Sequence, residues 1–333
     1  MKCAGTSDTV PVGPRKVVIG TTLFSVFDVE RPYVSLECRL GEIGQRLGEM
    51  GSEARARYGR GLDIALFPEN SLNPRRGGSA KERSVLLDAS LRERLGAMAR
   101  TEGTWLAVCF NLREEADPET VFNATVLMDR TGQIAGIYRK VFCVADPGGA
   151  SVEGGKRPGT EFPVFQTDFG KIALMICFDM GFDDIVEAYA REGAEIILWS
   201  TMSPQTFLPR LYARRFGCYF VSATPRDNAS LIDPLGEVIA QTHVEGVVTA
   251  EVDLDYRIVH WQPGLREGGA LTERFGDRVG GRYLKSEDFG IFWSNDTALS
   301  IGQMLDESGI LTDHDLRTLA RRACSAAHKR LLK

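Results

Sequence analysis

The chain has 333 residues, 43% of them apolar and 26% charged, which suits one large α/β domain or two small ones and excludes a disordered or fibrous chain. Forty Lys and Arg against 45 Asp and Glu leave a net charge of −5, so no basic surplus is available to hold a nucleic-acid backbone or an anionic membrane. The apolar run from Ile172 to Phe178 covers seven residues where a membrane span needs about twenty, and the N-terminus lacks the apolar core of a signal peptide, so the expectation is a cytoplasmic protein.

Residues 1–14 read as a flexible N-terminal tail. A strand is predicted from Lys16 to Phe24, then an amphipathic helix over 33–57, in which Leu36, Leu40, Ile43 and Leu47 recur at helical spacing. The apolar strand Asp63 to Phe67 stops at Pro68, a helix is expected over 80–101, and the strand Trp105 to Phe110 follows. Next comes an antiparallel hairpin, Ala124 to Met128 and Gln133 to Tyr138, about Asp129-Arg130-Thr131-Gly132. A Gly- and Pro-rich loop fills 145–160. Strands at Phe162 to Gln166 and Lys171 to Cys177, a helix over 183–192, the strand Glu195 to Ser200, a helix over 205–217 and the strand Cys218 to Ala223 repeat the α/β pattern. A second hairpin about Pro234-Leu235-Gly236 and a strand from Val247 to Val252 complete a domain over 15–255. After Asp255 the glycines and mixed charges read as an arm without a core of its own, ending in a helix capped by Thr312, and residues 256–333 are expected to pack on the domain or on a partner subunit.

Seven cysteines, an odd number with no C-x-x-C pair, fit reduced thiols and neither a disulfide framework nor a zinc site. The four histidines all lie beyond position 242, so neither a metal nor a cofactor is expected.

Three polar residues stand where strands end: Glu69, Lys140 and Cys177. In an α/β sheet such ends present side chains to a cleft. The set suits acyl transfer: a thiol attacks as thiolate, a carboxylate can take its proton, and an ammonium can face the oxyanion. Taken singly, a cysteine ending an apolar strand is usually an inert buried thiol, and Glu or Lys after a strand is usually solvated.

The surrounding strings decide between these readings. Leu66-Phe67-Pro68-Glu69, Tyr138-Arg139-Lys140 and Phe169-Gly170-Lys171-Ile172 leading to Ile176-Cys177-Phe178-Asp179 together resemble the carbon-nitrogen hydrolase (nitrilase) superfamily. Pro158-Gly159-Thr160-Glu161, Gly193-Ala194-Glu195-Ile196-Ile197 and Asp233-Pro234-Leu235-Gly236-Glu237 extend the resemblance over roughly 16–255. It implies a four-layer α-β-β-α sandwich, Glu69 as general base, Lys140 stabilising the tetrahedral intermediate, Cys177 as acylated nucleophile, the Phe178 backbone N–H in the oxyanion hole, and Glu153 as a second active-site glutamate. It also implies a small-molecule amide, nitrile or carbamoyl substrate and a homodimer or larger even-numbered homo-oligomer.

Where amidase-like members often carry Arg-Phe-Pro-Glu after the nucleophile, this chain has Gly181-Phe182-Asp183-Asp184, which weakens an N-carbamoyl amino acid reading because that arginine can hold a carboxylate. Phe178-Asp179 in place of Trp-Glu leans towards amides over nitriles. A catalytically inactive assembly module and a thiol-sensing role for Cys109, Cys143 or Cys177 are the readings of other classes. Trp199, Met202, Phe207 and Tyr219 are candidates for an apolar pocket wall. Tyr283, Phe289, Ile291, Phe292 and Trp293 are expected to be covered by a partner subunit.

Overall fold

A computed structural model describes residues 13–26, 33–74 and 78–331, so most of the expected N-terminal tail lies outside the described residues. The chain forms two compact units, one of residues 17–252 and one that joins residues 13–16 to 253–331.

The first unit starts with β1 (Lys16–Leu23), α1 (Leu36–Tyr58) and β2 (Ile64–Leu66). Helix α1 begins where Ser35 Oγ accepts the Cys38 N–H at 3.1 Å, and it ends at Gly59, which takes the left-handed conformation. Strand β3 (Val85–Leu87) and α2 (Ala89–Glu102) replace the single helix expected over 80–101. The apolar Val85-Leu86-Leu87 run fits either period, but it pairs in parallel with the next strand, and Asp88 caps the helix by accepting the Leu91 N–H at 2.8 Å. Strands β4 (Trp105–Glu114), β5 (Asp117–Met128) and β6 (Ile134–Arg139) follow as an antiparallel meander.

The second half repeats the plan with β7 (Val164–Gln166), β8 (Lys171–Ile176), α3 (Asp183–Arg191), β9 (Ile196–Ser200), α4 (Phe207–Phe216), β10 (Tyr219–Ala223), β11 (Ala229–Ile232) and β12 (Val238–Thr242). Strand β13 (Gly246–Asp253) returns to the first sheet, whose order is β13-β1-β2-β4-β5-β6 with β3 also on β4; the second sheet runs β12-β11-β10-β9-β8-β7. Both sheets have parallel centres, β1-β2-β4 in one and β8-β9-β10 in the other.

Helices α1 and α2 bury Leu40, Ile43, Leu47, Met50, Leu91 and Leu95 against Val18, Ala65, Leu106 and Val108 of the first sheet. Each of the larger side chains among these, Leu, Ile, Val or Met, contributes roughly 1.5–3 kcal/mol on leaving water. On the second sheet, α3 buries Ile185, Val186 and Tyr189, and the Tyr189 hydroxyl donates to the Leu174 carbonyl of β8. The inner faces are stitched by hydrogen bonds: Thr21 Oγ1 donates to the Ser222 carbonyl at 2.8 Å, Ser200 Oγ to the Phe67 carbonyl at 2.8 Å, and Leu23 bridges Thr224 in parallel. The result is the α-β-β-α sandwich that the sequence suggests.

The second unit corrects the expectation of a coreless arm. Strands β14 (Tyr256–His260), β15 (Val279–Leu284) and β16 (Phe289–Ser294) form an antiparallel sheet in the order β14-β16-β15. With α5 (Gly269–Phe275) and α6 (Ile301–Glu307) it encloses Val259, Leu265, Leu271, Phe275, Phe292, Ile301, Met304 and Leu305. Phe289, Ile291 and Phe292 are buried within this chain, so these three do not await a partner, while Tyr283 and Trp293 are half-buried. Helix α7 (Asp313–Leu331) closes the described chain.

Candidate active site

Glu69, Lys140 and Cys177 each stand one to three residues beyond the carboxyl end of a strand, β2, β6 and β8. After β2 the backbone turns through Asn70 at φ 64, and Ser71 ties that turn down by donating its N–H to the Cys109 carbonyl at 2.8 Å and its hydroxyl to the Pro68 carbonyl at 2.6 Å. Lys140 extends the β5–β6 ladder by donating its N–H to the Asn123 carbonyl at 2.8 Å, and its own carbonyl accepts the Gly159 N–H at 2.8 Å. Gly159 has to be glycine, because a Cβ there would lie 2.2 Å from the Arg139 carbonyl oxygen. Strand β8 ends at Ile176, one residue earlier than the sequence suggests, and Cys177 opens a 3-10 turn at φ 43.

The structure brings these three side chains together with Glu153. Lys140 Nζ lies 3.5 Å from Glu69 Oε1 and 2.5 Å from Glu153 Oε1, and the Lys156 ammonium meets Glu153 Oε2 at 3.1 Å. Asn123 Nδ2 donates to Glu69 Oε1 at 2.7 Å and to Glu153 Oε2 at 3.1 Å, so one carboxamide spans both carboxylates. Glu69 Oε2 is buried and accepts no bond of normal geometry, which leaves a lone pair for a proton. Glu69 and Lys140 are only 4% and 2% exposed, so their charges act in a medium that screens them little.

Burial and the Glu69 charge push the Cys177 thiol up to about 12, against the pull of Lys140 and of a hydrogen bond from the Met202 N–H. Burial pulls the Lys140 ammonium down, but the surrounding Glu69, Cys177 and Glu153 charges outweigh it and hold the ammonium protonated well above its ordinary range. Burial likewise works against the Glu153 charge, yet Lys140 and Lys156 hold that carboxyl at about 2. At neutral pH the arrangement is thus a protonated thiol beside a carboxylate that can receive its proton and an ammonium that can face a developing negative charge.

Two residues that the sequence does not single out for the purpose fix the nucleophile turn. Asp179, fully buried, accepts the Tyr138 hydroxyl at 2.7 Å, the Phe142 N–H at 2.8 Å and the Ile176 N–H at 3.0 Å. Burial still pushes its carboxyl up to about 6. Trp199, a candidate wall residue by sequence, is fully buried, and its indole N–H donates to the Cys177 carbonyl at 3.1 Å. Phe207 is 75% exposed, so it lines no enclosed wall.

Glu153 belongs to a folded loop and is no solvated carboxylate. The Glu153 N–H donates to the Val144 carbonyl at 3.0 Å, Ala145 bridges Val152, and Asp146 accepts the Gly154 N–H at 2.9 Å. Phe178 presents a half-exposed ring that meets Phe182 edge-on at 5.5 Å, while Phe182 stacks on Phe142 at 3.8 Å, so aromatic faces flank the nucleophile turn. Cys109 and Cys143 are both raised, Cys143 to about 12 by burial and the Glu153 charge, which leaves them poor nucleophiles. Among the described residues no group of three or more His, Cys, Asp or Glu could hold a metal ion, and no helix is long and apolar enough to cross a membrane.

A two-sheet sandwich that gathers a thiol, two carboxylates and an ammonium at its strand ends defines a class of thiol-dependent acyl-transfer folds. The carbon-nitrogen hydrolase family model matches residues 37–258, more than half of the chain, and the protein belongs to that family. The chain is 30% identical over 224 residues to the deaminated glutathione amidase of Bos taurus, covering 59% of this chain and 68% of that one. It is 26% identical over 232 residues to the omega-amidase NIT2 of Danio rerio, covering 63% and 83%. A probable nitrilase of Schizosaccharomyces pombe matches at 28% over 163 residues, 44% of this chain and 58% of that protein, less than two thirds of its length. The crystal structure of Saccharomyces cerevisiae Nit3, of the nitrilase superfamily, superposes with a TM-score of 0.62 at 16% identity, covering 74% and 93%, and that of an amidase from Nesterenkonia sp. with 0.57 at 20%, covering 74% and 94%. These structures share the fold.

Proposed function

We propose that residues 15–255 form a hydrolase domain that cleaves the amide of a small molecule through a thioester on Cys177. The observation that carries this reading is the buried cluster in which Lys140 lies 3.5 Å from Glu69 and the charges of both act on the Cys177 thiol. Glu69 takes the Sγ proton as sulfur attacks the carbonyl carbon, and the carbonyl oxygen gains the negative charge. The Lys140 ammonium and the Phe178 N–H stabilise that oxyanion, an effect worth roughly 3–4 kcal/mol per donor. The proton held by Glu69 passes to the departing nitrogen, the carbon-nitrogen bond breaks, and the amine leaves. A water molecule gives a proton to Glu69 and its oxygen to the thioester carbon; the acid is released as the thiol regains its proton. Glu153, bound to Lys140, Lys156 and Asn123, holds the ammonium on its axis towards the reaction.

The test is mass spectrometry of the protein quenched during turnover of a mixed set of amides and nitriles. An acyl adduct on Cys177, absent from Cys177→Ala, is expected, with ammonia or amine released in step. Turnover that persists in Cys177→Ala would overturn the reading, and an adduct formed only from nitriles would move the substrate class.

We also infer a homodimer or larger even-numbered assembly. Its support is Phe207 and Leu211, 75% and 47% exposed and one turn apart on α4, since Phe289 and Phe292 of β16 are covered by their own chain. Light scattering at micromolar concentration tests it, and a monomer there would refute it. The six described cysteines are all free thiols, in keeping with a cytoplasmic location.

A further inference from the structure

Cys109 carries a thiol that the reaction does not consume. It is fully buried in β4, and burial, with the Glu69 charge second, holds it protonated throughout the neutral range. Both of its hydrogen-bonding ends nevertheless meet the surroundings of Glu69. The Cys109 carbonyl accepts the Ser71 N–H at 2.8 Å, which ties down the turn that follows Glu69. The Cys109 S–H donates to Asn123 Oδ1 at 3.7 Å. The β4–β5 register allows this contact, because it sets Cys109 opposite Thr125, and Asn123 lies two residues along on the same face. At its other end the same carboxamide uses Nδ2 to meet Glu69 Oε1 at 2.7 Å and Glu153 Oε2 at 3.1 Å.

A carboxamide has a donor end and an acceptor end of nearly the same shape, so only its direction makes it useful between two carboxylates. Turned over, Asn123 would set an oxygen against two negative charges. Among the described residues no donor other than the Cys109 S–H meets Asn123 Oδ1. A buried carbonyl oxygen left without a donor is destabilising, so even a weak S–H bond favours the direction in which Nδ2 faces the carboxylates. We infer that Cys109 is a positioning residue: its S–H fixes the direction of the Asn123 carboxamide, and through it the placement of Glu69 and Glu153 about Lys140. The inference rests on the hydrolase reading for what Glu69 does, but the direction of the carboxamide can be observed without turnover.

The experiment has two arms and compares wild type with Cys109→Val and Cys109→Ser. Valine suits a buried strand and has no donor, whereas serine keeps one. In the first arm, kinetics are measured on the amide of the mixed set that wild type turns over fastest. For Cys109→Val, kcat is expected to fall about tenfold with KM little changed. The acid limb of its pH–rate profile should move to higher pH, since neighbouring carboxylates that lose a shared donor hold a proton more tightly. Cys109→Ser should recover most of the rate, to within about threefold of wild type, with the limb unmoved. Added to Asn123→Leu, Cys109→Val should cause no further loss, because both changes remove the same function. In the second arm, nuclear magnetic resonance follows the Asn123 side-chain amide, assigned by its absence from Asn123→Leu. Its protons are expected downfield and slow to exchange in wild type and Cys109→Ser, and near the free-amide position in Cys109→Val. An amide signal in Cys109→Val that matches wild type overturns the role of Cys109. So do equal losses in the valine and serine variants, or losses that add to that of Asn123→Leu. An amide signal that depends on the S–H as expected, in a protein that hydrolyses none of the amides, would keep the positioning role and refute the hydrolase reading instead.

Discussion

The Trp199 indole N–H donates to the carbonyl oxygen of Cys177 at 3.1 Å, so a core residue of β9 holds the far side of the residue that carries the reactive thiol. On the near side the Ile176 N–H is held by Asp179. Trp199→Phe keeps a large ring in the core and removes only the donor. It is expected to lower kcat about tenfold, the equivalent of one lost hydrogen bond, with little change in KM, and steady-state kinetics beside a thermal melt separate this from general loosening.

Asn123 joins Glu69 to Glu153 through one nitrogen, and two neighbouring carboxylates otherwise repel. Asn123→Leu preserves bulk and loses both bonds. A fall in kcat of about 10²-fold is expected, with the acid limb of the pH–rate profile displaced, a change that mere loss of packing would not produce.

Removing the Glu69 charge should have two opposite effects. Because that charge helps push the Cys177 thiol up to about 12, Glu69→Gln should let the thiol ionise at lower pH, and alkylation by iodoacetamide should shift to lower pH with it. Turnover should nevertheless fall by about 10³-fold, because glutamine cannot carry the proton. Slower alkylation across the whole range would show that Glu69 activates the resting thiol as a base and that its charge is the lesser influence.

Much of this was legible before the fold was known, and the pattern of what was not is physical. Glu69, Lys140 and Cys177 each interrupt or end an apolar strand, so they stand out from their neighbours. Asn123 and Trp199 lie inside strands, where a lone carboxamide or a ring reads as packing, and only a cross-strand view shows their partners. Asp179 is hidden for a different reason: a carboxylate one residue past an exposed Phe178 looks solvated, and its burial follows from the 3-10 turn that folds it back under β8. The sheet of the second unit was missed because glycines at 280, 281 and 290 break the alternation that marks a strand, while they admit the rings of Trp293 and Phe292.

The acid response of the fold should carry two signatures of opposite sign. Glu153 is held at about 2, below the ordinary value for an unfolded glutamate, so its stabilisation is present above that ordinary value and is lost as the pH falls towards 2. Asp179 is raised to about 6, so its contribution is complete below the unfolded aspartate value and is lost as the pH rises through 6. Urea midpoints measured from pH 3 to 7 should therefore change less steeply at the acid end for Glu153→Gln and between pH 4 and 6 for Asp179→Asn. Parallel curves for all three proteins would contradict both assignments.

Gly159→Ala tests how Lys140 is placed. The added methyl would meet the Arg139 carbonyl at 2.2 Å, so the backbone that ends in Lys140 must move. A loss of kcat of about 10²-fold is expected for a displacement of about 1 Å, with the fold kept, as judged by circular dichroism.

The left-handed backbone at Cys177 also limits which chemistry could ever arise at this turn. At φ 43 a side chain branched at Cβ crowds its own backbone, so threonine, though its hydroxyl is a nucleophile elsewhere, is excluded by shape alone. Serine fits but presents a hydroxyl to a base suited to a thiol. A saturation library at position 177 should therefore return cysteine as the only vigorous clone and serine as a trace one, while threonine and valine emerge as poorly folded protein: the turn rejects the side chains that are too broad to stand there, and the chemistry then chooses sulfur over oxygen.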